Sequence, residues 1–167
     1  MYNTFRNVYR SVKELWADNR HRELLRAFPV TVGAKAVENQ TVTNTTTEAS
    51  TVLSVELEGG KTYAISVWAP ATIPVTNGIK IDFAGGGVTA TSFVARATFW
   101  TDNAAPQYES IIALTTSVSS IIAGTGFSVE GTLVVNTGGT LVLRFAQQVA
   151  TGNTVLLAGA RIVAVEL

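Results

Sequence analysis

The stretch GTLVVNTGGTLVLRFAQ, residues 131–147, decides the fold class. Apolar residues alternate with Thr, Asn and Arg on both sides of a Gly-Gly pair, and alternation with a period of two is the signature of a β-strand. Two glycines between two such runs predict a tight turn. We therefore expect a β-hairpin here, with Arg144 as the single charge between Leu143 and Phe145.

The same alternation recurs along residues 30–167, as roughly eight to ten strand-like runs separated by turn signals. TVLSVELEGGKTYAISVWA (51–69) holds a second Gly-Gly pair and predicts a second hairpin. IKIDF (79–83) points its Lys and Asp outward before AGGG (84–87), and ARIVAVEL (160–167) predicts a final strand built into a sheet. With a single helical pattern in the chain, an α/β fold is excluded. The sequence predicts a mainly β, antiparallel fold, either a β-sandwich or a jelly roll.

One amphipathic α-helix is predicted before the strands, over residues 4–28, and Pro29 ends it. Its apolar stripe either packs on the β domain or docks on a neighbouring subunit. The chain thus divides into an N-terminal docking or oligomerisation helix (1–29), an extended linker or edge strand (30–50) and the sandwich (51–167). The docking stripe consists of Phe5, Val8, Tyr9, Val12, Leu15 and Trp16.

Composition restricts the partners. Charged residues make up 14% of the 167, hydrophobic residues 47%, and the net charge is zero. A surface with so little charge is typical of a chain covered by partner subunits, so we expect an oligomer. We expect neither a membrane nor a nucleic acid as partner, because no apolar run is long enough to span a bilayer and the weak basic excess lies only in residues 1–28. The N-terminus has no signal-peptide pattern, which predicts folding in a cytoplasm.

The sequence gives no sign of catalysis, and we expect neither an enzyme nor a bound cofactor or metal. Cysteine is absent, and the only histidine, His21, lies in the predicted helix. The acidic residues are scattered over predicted outward faces, and nothing favours a pair such as Asp82 and Glu109 as general acid and base. The AGGG turn lacks the Lys-Ser/Thr ending of a phosphate-binding loop.

Four side chains stand out from the strand pattern. Arg96 and Arg144 each interrupt an apolar strand, and either point to solvent or reach a carboxylate such as Glu109 or Glu130 of another subunit. Trp68 and Trp100 lie at strand ends, where they either pack in a core or interface or stack on sugar rings. The candidate oligomer interface comprises Arg96, Arg144, Phe145, Val163 and Val165.

From about residue 51 to the end, the chain resembles a β-sandwich family common among tailed-phage virion proteins. The resemblance rests on LSVELEGGKTYAISVWA, on GIKIDFAGGGVTATS, and on VEGTLVVNTGGTLVLRFAQQVATGNTVLLAGARIVAVEL as a combination. Such proteins look like the trimeric jelly-roll modules of phage head decoration proteins, head fibres and tail fibres. The chain departs from the fibre type because it has no long repetitive shaft.

The resemblance implies a homotrimer in the virion, assembled in the host cytoplasm, with the major capsid protein or another virion protein as partner. It implies three copies packed through Ala-, Thr- and Val-rich faces, and a hairpin at 131–147 that forms the inner sheet of the jelly roll with the final strand. The implied function is that of a non-enzymatic capsid decoration or cement protein. The alternative is a receptor- or glycan-binding tip, with Trp68 and Trp100 in the binding surface.

Overall fold

The computed structural model describes residues 30–102 and 105–167. The predicted helix, with its docking stripe and His21, lies outside these residues. Within the described ranges there are twelve strands and no helix, hence none that could span a membrane. The strands are β1 (Thr31–Lys35), β2 (Gln40–Thr43), β3 (Ala49–Leu57), β4 (Thr62–Ile73), β5 (Ile79–Gly86), β6 (Thr89–Thr101), β7 (Gln107–Ile111), β8 (Val118–Ser120), β9 (Gly124–Thr137), β10 (Gly139–Ala146), β11 (Asn153–Leu156) and β12 (Arg161–Glu166).

The strands form two antiparallel sheets, which confirms the prediction of a mainly β, antiparallel fold. The large sheet has the order β1-β12-β4-β9-β6-β7, and β11 joins β2 to the end of β4. The small sheet has the order β3-β10-β5-β8. Residues 30–50 supply β1 and β2, which lie at edges of the large sheet, so the compact unit begins at Thr31. The final strand, β12, lies inside the large sheet between β1 and β4, as predicted.

The inward faces of both sheets share one hydrophobic core, so the domain is a β-sandwich. Along β4 and most of β10, buried residues alternate with more exposed ones, as the period-two pattern predicts. The sheets meet at Phe83 of β5 and Phe93 of β6, whose rings lie edge to face with centroids 5.3 Å apart. Within the large sheet, the rings of Phe99 and Phe127 lie 6.0 Å apart on neighbouring strands. These rings fill the space between the sheets.

Both predicted hairpins are wrong, because each Gly-Gly turn carries the chain from one sheet to the other. β9 pairs with β4 and β6 in the large sheet, whereas β10 pairs with β3 and β5 in the small sheet. The turn between β3 and β4 likewise joins the small sheet to the large one. The expectation that residues 131–147 and the final strand share one sheet fails for the same reason. Burial explains this: Leu133 of β9 and Leu143 of β10 are both fully buried and approach the core from opposite sheets.

The crossovers pack against each other through their backbones at one end of the sandwich. A Cβ atom added to Gly138 would lie 2.8 Å from the amide nitrogen of Gly59 and equally close to the carbonyl oxygen of Leu57. A third crossover, between β5 and β6, is equally close: a Cβ at Gly139 would lie 2.7 Å from the amide nitrogen of Val88. We call these three turns (58–61, 86–89 and 136–139) the glycine crossovers. Only glycine allows the turns to approach so closely.

We predict that Gly138→Ala destabilises the domain by about 2 kcal/mol, because the new methyl group meets backbone atoms that cannot move aside. Gly60→Ala is the matched control. Gly60 has a φ of 74°, but nothing lies within 4 Å of an added Cβ, so its cost is limited to about 1 kcal/mol of backbone strain. Urea unfolding of both variants measures the two losses of unfolding free energy. A loss for Gly138→Ala that is equal to or smaller than the loss for Gly60→Ala would contradict the prediction.

Candidate functional site

The outer face of the large sheet holds most of the side chains singled out from the sequence. The strand registers align its outward residues in rows that run across the strands. One row consists of Val165, Ala64, Thr132 and Val94, and we call it the apolar row. The next row holds Val163, Ser66, Glu130 and Arg96, and the third holds Arg161, Trp68, Ser128 and Thr98.

The two tryptophans come together on this face, although they are far apart in the sequence. Their ring centroids are 6.1 Å apart and their planes are inclined at 48°. The Arg161 guanidinium carbon lies 5.4 Å from the Trp68 ring centroid, and Trp68 remains 40% exposed. Trp100 lies over Gly126 of the intervening strand, where an added Cβ would come within 3.1 Å of the indole ring. A glycine on β9 therefore makes room for this pair.

Lys35 adds a second positive charge, next to Arg161, to the surface formed by the two tryptophans. It lies directly opposite Arg161 in the register of β1 and β12. The neighbouring Ala34 packs against the core, so the exposed Lys35 is on the outer face. We call Lys35, Arg161, Trp68 and Trp100 the tryptophan corner. It offers two aromatic rings and two positive charges within one patch.

Arg96 lies on the same face, one row nearer to the apolar row. It is opposite Glu130 on β9, and its guanidinium carbon lies 4.0 Å from the ring centroid of Tyr108. Val163 and Val165 share this face and are half-buried, whereas Val94 is 64% exposed. Three of the five predicted interface residues, Arg96, Val163 and Val165, therefore lie on one surface.

The other two predicted interface residues belong to the small sheet and have other contacts. Arg144 Nε donates to Asp82 Oδ1 at 2.9 Å, and Nη2 donates to Oδ2. Arg144 thus pairs within its own chain, and not with Glu109 or Glu130 as the sequence suggested. This hydrogen-bonded pairing raises the pKa of the Arg144 guanidinium. Phe145 is only 2% exposed and fills the core of a single chain, so its side chain offers no surface to a partner.

Asp82 does point outward, as predicted, but its exposure is only 1%. Nearby, Glu48 accepts hydrogen bonds from Ser117 Oγ at 2.7 Å and from Lys80 Nζ at 3.0 Å. Burial alone would raise the pKa of Glu48, but these bonds and a backbone hydrogen bond lower it to about 2. Both carboxylates are held in structural pairs, and Glu109 belongs to the large sheet. In residues 30–102 and 105–167, no cluster of His, Cys, Asp or Glu is arranged to hold a metal.

A buried polar residue that the sequence analysis missed organises the end opposite the glycine crossovers. Gln147 is fully buried; its Oε1 accepts from the Thr45 amide, and its Nε2 donates to the Thr151 and Gly152 carbonyls, all at 2.9 Å. Asn77 Nδ2 adds a bond to the Asn153 carbonyl at 3.0 Å. The loops at this end are therefore fixed by side-chain amides, which no local pattern in the sequence reveals.

No protein-family model and no curated protein matches the chain. Among solved structures, it is similar to a chain of the baseplate tripod of bacteriophage Tuc2009 (9% identity, TM-score 0.36, covering 84% of this chain and 64% of that one). It is also similar to the CBM22-1–GH10 modules of the Clostridium thermocellum xylanase Xyn10B (12% identity, TM-score 0.32, 78% and 25% covered). A third is infectious bursal disease virus VP2 (11% identity, TM-score 0.21, 83% and 37% covered).

The chain spans less than two thirds of each of these proteins. All three TM-scores are low, so the likenesses carry no argument about function.

We predict that Arg144→Ala destabilises the domain by about 3 kcal/mol, because it leaves the buried Asp82 carboxylate without its partner. The double variant Asp82→Ala/Arg144→Ala removes both charges and should lose less than Arg144→Ala alone. A double-mutant cycle measured by urea unfolding at neutral pH checks this. Losses that simply add would show that the two groups do not interact.

Glu48 makes stability depend on pH. Because its folded-state pKa is about 2 and its ordinary value is 4.5, its contribution is complete above pH 4.5 and is lost as the pH falls towards 2. Glu48→Gln should therefore cost about 1 to 2 kcal/mol at neutral pH and make the acid side of the stability profile flatter. Urea midpoints across this range measure the effect. Glu130→Gln, on an exposed carboxylate, is the control, and an unchanged Glu48→Gln profile would contradict the assignment.

Proposed function

We propose that this chain is a non-enzymatic structural protein of a tailed-phage virion that forms a homotrimer and binds the assembled shell as a decoration or cement protein. The resemblance from residue 51 onward supports this class. The strand order supports it as well. Without β2, β11 and the β6–β7 pair, the sheets are β1-β12-β4-β9 and β3-β10-β5-β8, the two four-stranded sheets of a jelly roll.

The observation that carries the proposal is the apolar row on the outer face of the large sheet. This row has no charged side chain, and Val94 at its end is 64% exposed. Ile112, which follows β7 beside this end of the row, is 71% exposed. In the rest of the row Val165 and Ala64 are half-buried and Thr132 is exposed. Exposed large apolar side chains such as Val94 and Ile112 mark an interaction surface when they lie together. A second and a third copy of the chain would cover this row and explain the low overall charge.

A shell-binding trimer needs no catalytic group. The described carboxylates Asp82 and Glu48 are held by Arg144, Lys80 and Ser117, which suits a structural role. Cementing would operate by mass action, because a protein that binds only the assembled shell shifts the equilibrium towards assembly. The stripe in residues 4–28 is the segment we propose for docking on the major capsid protein.

We predict a particle of three times the 17.7 kDa chain mass when the full chain is measured by native mass spectrometry. Val94→Glu should produce a monomer, because burying a new charge in the apolar row is costly. Val52→Glu is the matched control, since Val52 is 53% exposed on β3 of the small sheet, and this variant should remain a trimer.

The same protein should sediment with assembled shells of the phage that encodes it and raise their thermal transition. A wild-type monomer would contradict the trimer, and a trimer that neither sediments with shells nor stabilises them would contradict the decoration role.

The tryptophan corner favours a second function, glycan binding by an exposed part of the same protein. Exposed aromatic rings beside hydroxyl groups suit the apolar faces and hydroxyl groups of sugars. Trp68 and Trp100 lie beside Ser128 and Thr98 in the register of the sheet. One row of residues, which contains Val163 and Arg96, separates this corner from the apolar row.

A further inference from the structure

We infer that the tryptophan corner binds an acidic saccharide, through the paired cations Lys35 and Arg161 and the aromatic rings of Trp68 and Trp100. The inference rests on the second proposed function, glycan binding, and specifies its ligand class. A carboxylate, sulfate or phosphate group on the sugar would provide the negative charge.

Two like charges face each other at the tryptophan corner. Lys35 and Arg161 are directly opposite each other on neighbouring antiparallel strands, where like charges destabilise a sheet. Among the described residues, neither has a carboxylate within ion-pair distance. An anionic ligand that lies between the two would relieve their repulsion. In the other strand registers of the described residues, no two like charges are directly opposite each other. Lys61 and Lys80 are each paired with a glutamate.

An aromatic surface, formed by Trp68 and Trp100, lies beside these charges. Trp68 is 40% exposed and lies between Arg161 and Trp100, 5.4 Å from the first and 6.1 Å from the second. A sugar ring stacked on Trp68 therefore has its substituents close to Arg161, and Lys35 lies opposite Arg161 in the register of β1 and β12. Because the two indole planes are inclined at 48° to each other, they form a shallow angled surface and not a flat one.

The surroundings favour a saccharide over a nucleic acid. The corner holds two cations, Lys35 and Arg161. In the neighbouring row the single cation, Arg96, lies opposite Glu130, whose charge would repel a run of phosphates. The adjacent outward side chains are Ser66, Ser128 and Thr98, which offer uncharged hydroxyl groups to sugar hydroxyls. Single-stranded nucleic acids are usually bound along a continuous basic groove, which this face does not have.

The test is a binding assay of the full chain on a glycan array in which each acidic saccharide is paired with a neutral counterpart. The pairs are oligogalacturonate and its methyl ester, sialyllactose and lactose, and a κ-carrageenan oligosaccharide and its desulfated form. A single-stranded thymidine oligonucleotide is included. We expect at least one acidic member to bind and its neutral counterpart to bind at least tenfold more weakly.

Variants assign the binding to the corner. Lys35→Gln and Arg161→Gln should each weaken the acidic ligand at least tenfold, and Trp68→Ala should abolish its binding. Lys35→Gln should leave the urea midpoint unchanged or raised, because it removes a repulsion. Arg96→Gln is the matched control: the same charge is lost on the same face, three strands from Arg161, and binding should be unaffected.

The outcomes separate the two levels of the proposal. Equal binding of acidic and neutral partners would overturn the acidic ligand class and leave glycan binding in place. Binding of no saccharide would overturn both. Preference for the oligonucleotide, or acidic binding that survives Lys35→Gln and Arg161→Gln, would overturn the assignment of this corner.

Discussion

The backbone contact between the glycine crossovers is the constraint on which the rest of the domain depends. Gly138 lies so close to Gly59 that it leaves no room for a side chain, and a Cβ added to Gly59 would lie 3.0 Å from the amide nitrogen of Gly138. Gly139 meets the third crossover as closely as Gly138 meets Gly59. Each turn moves the chain to the opposite sheet, so successive strands face each other across the core. In the large sheet, β9 lies between β4 and β6. The registers of these strand pairs align the rows of side chains on the outer face.

The sequence predicts the strands well and their partners poorly. Alternation is local, so it correctly gives β6 as one long strand and β12 as part of a sheet. Pairing depends on which faces are buried together, and the Gly-Gly turns look the same in a hairpin and in a crossover. Asp82 on the small sheet shows the same limit of local patterns. It is correctly predicted to point outward, but its burial depends on Arg144, which is distant in the sequence.

The two sheets present different surfaces. On the small sheet, Arg144 and Lys80 are each paired with a carboxylate of the same chain, and the exposed Glu56 accepts a hydrogen bond from Thr140. The outer face of the large sheet has an apolar row at one end and an aromatic, cationic corner at the other. Trp68 and Trp100 are brought together only because β9 carries Gly126 between them. The chemistry available for recognition is therefore concentrated on the large sheet.

The position of β12 has a consequence for biosynthesis. Its partners are β1 at the start of the domain and β4, so Thr31 meets Val165 only after nearly the whole domain has been synthesised. Until then, one edge of β4 has no partner, and an open edge can pair with strands of other nascent chains. Such long-range pairing makes folding slow. The final strand therefore completes the large sheet last and closes the open edge of β4.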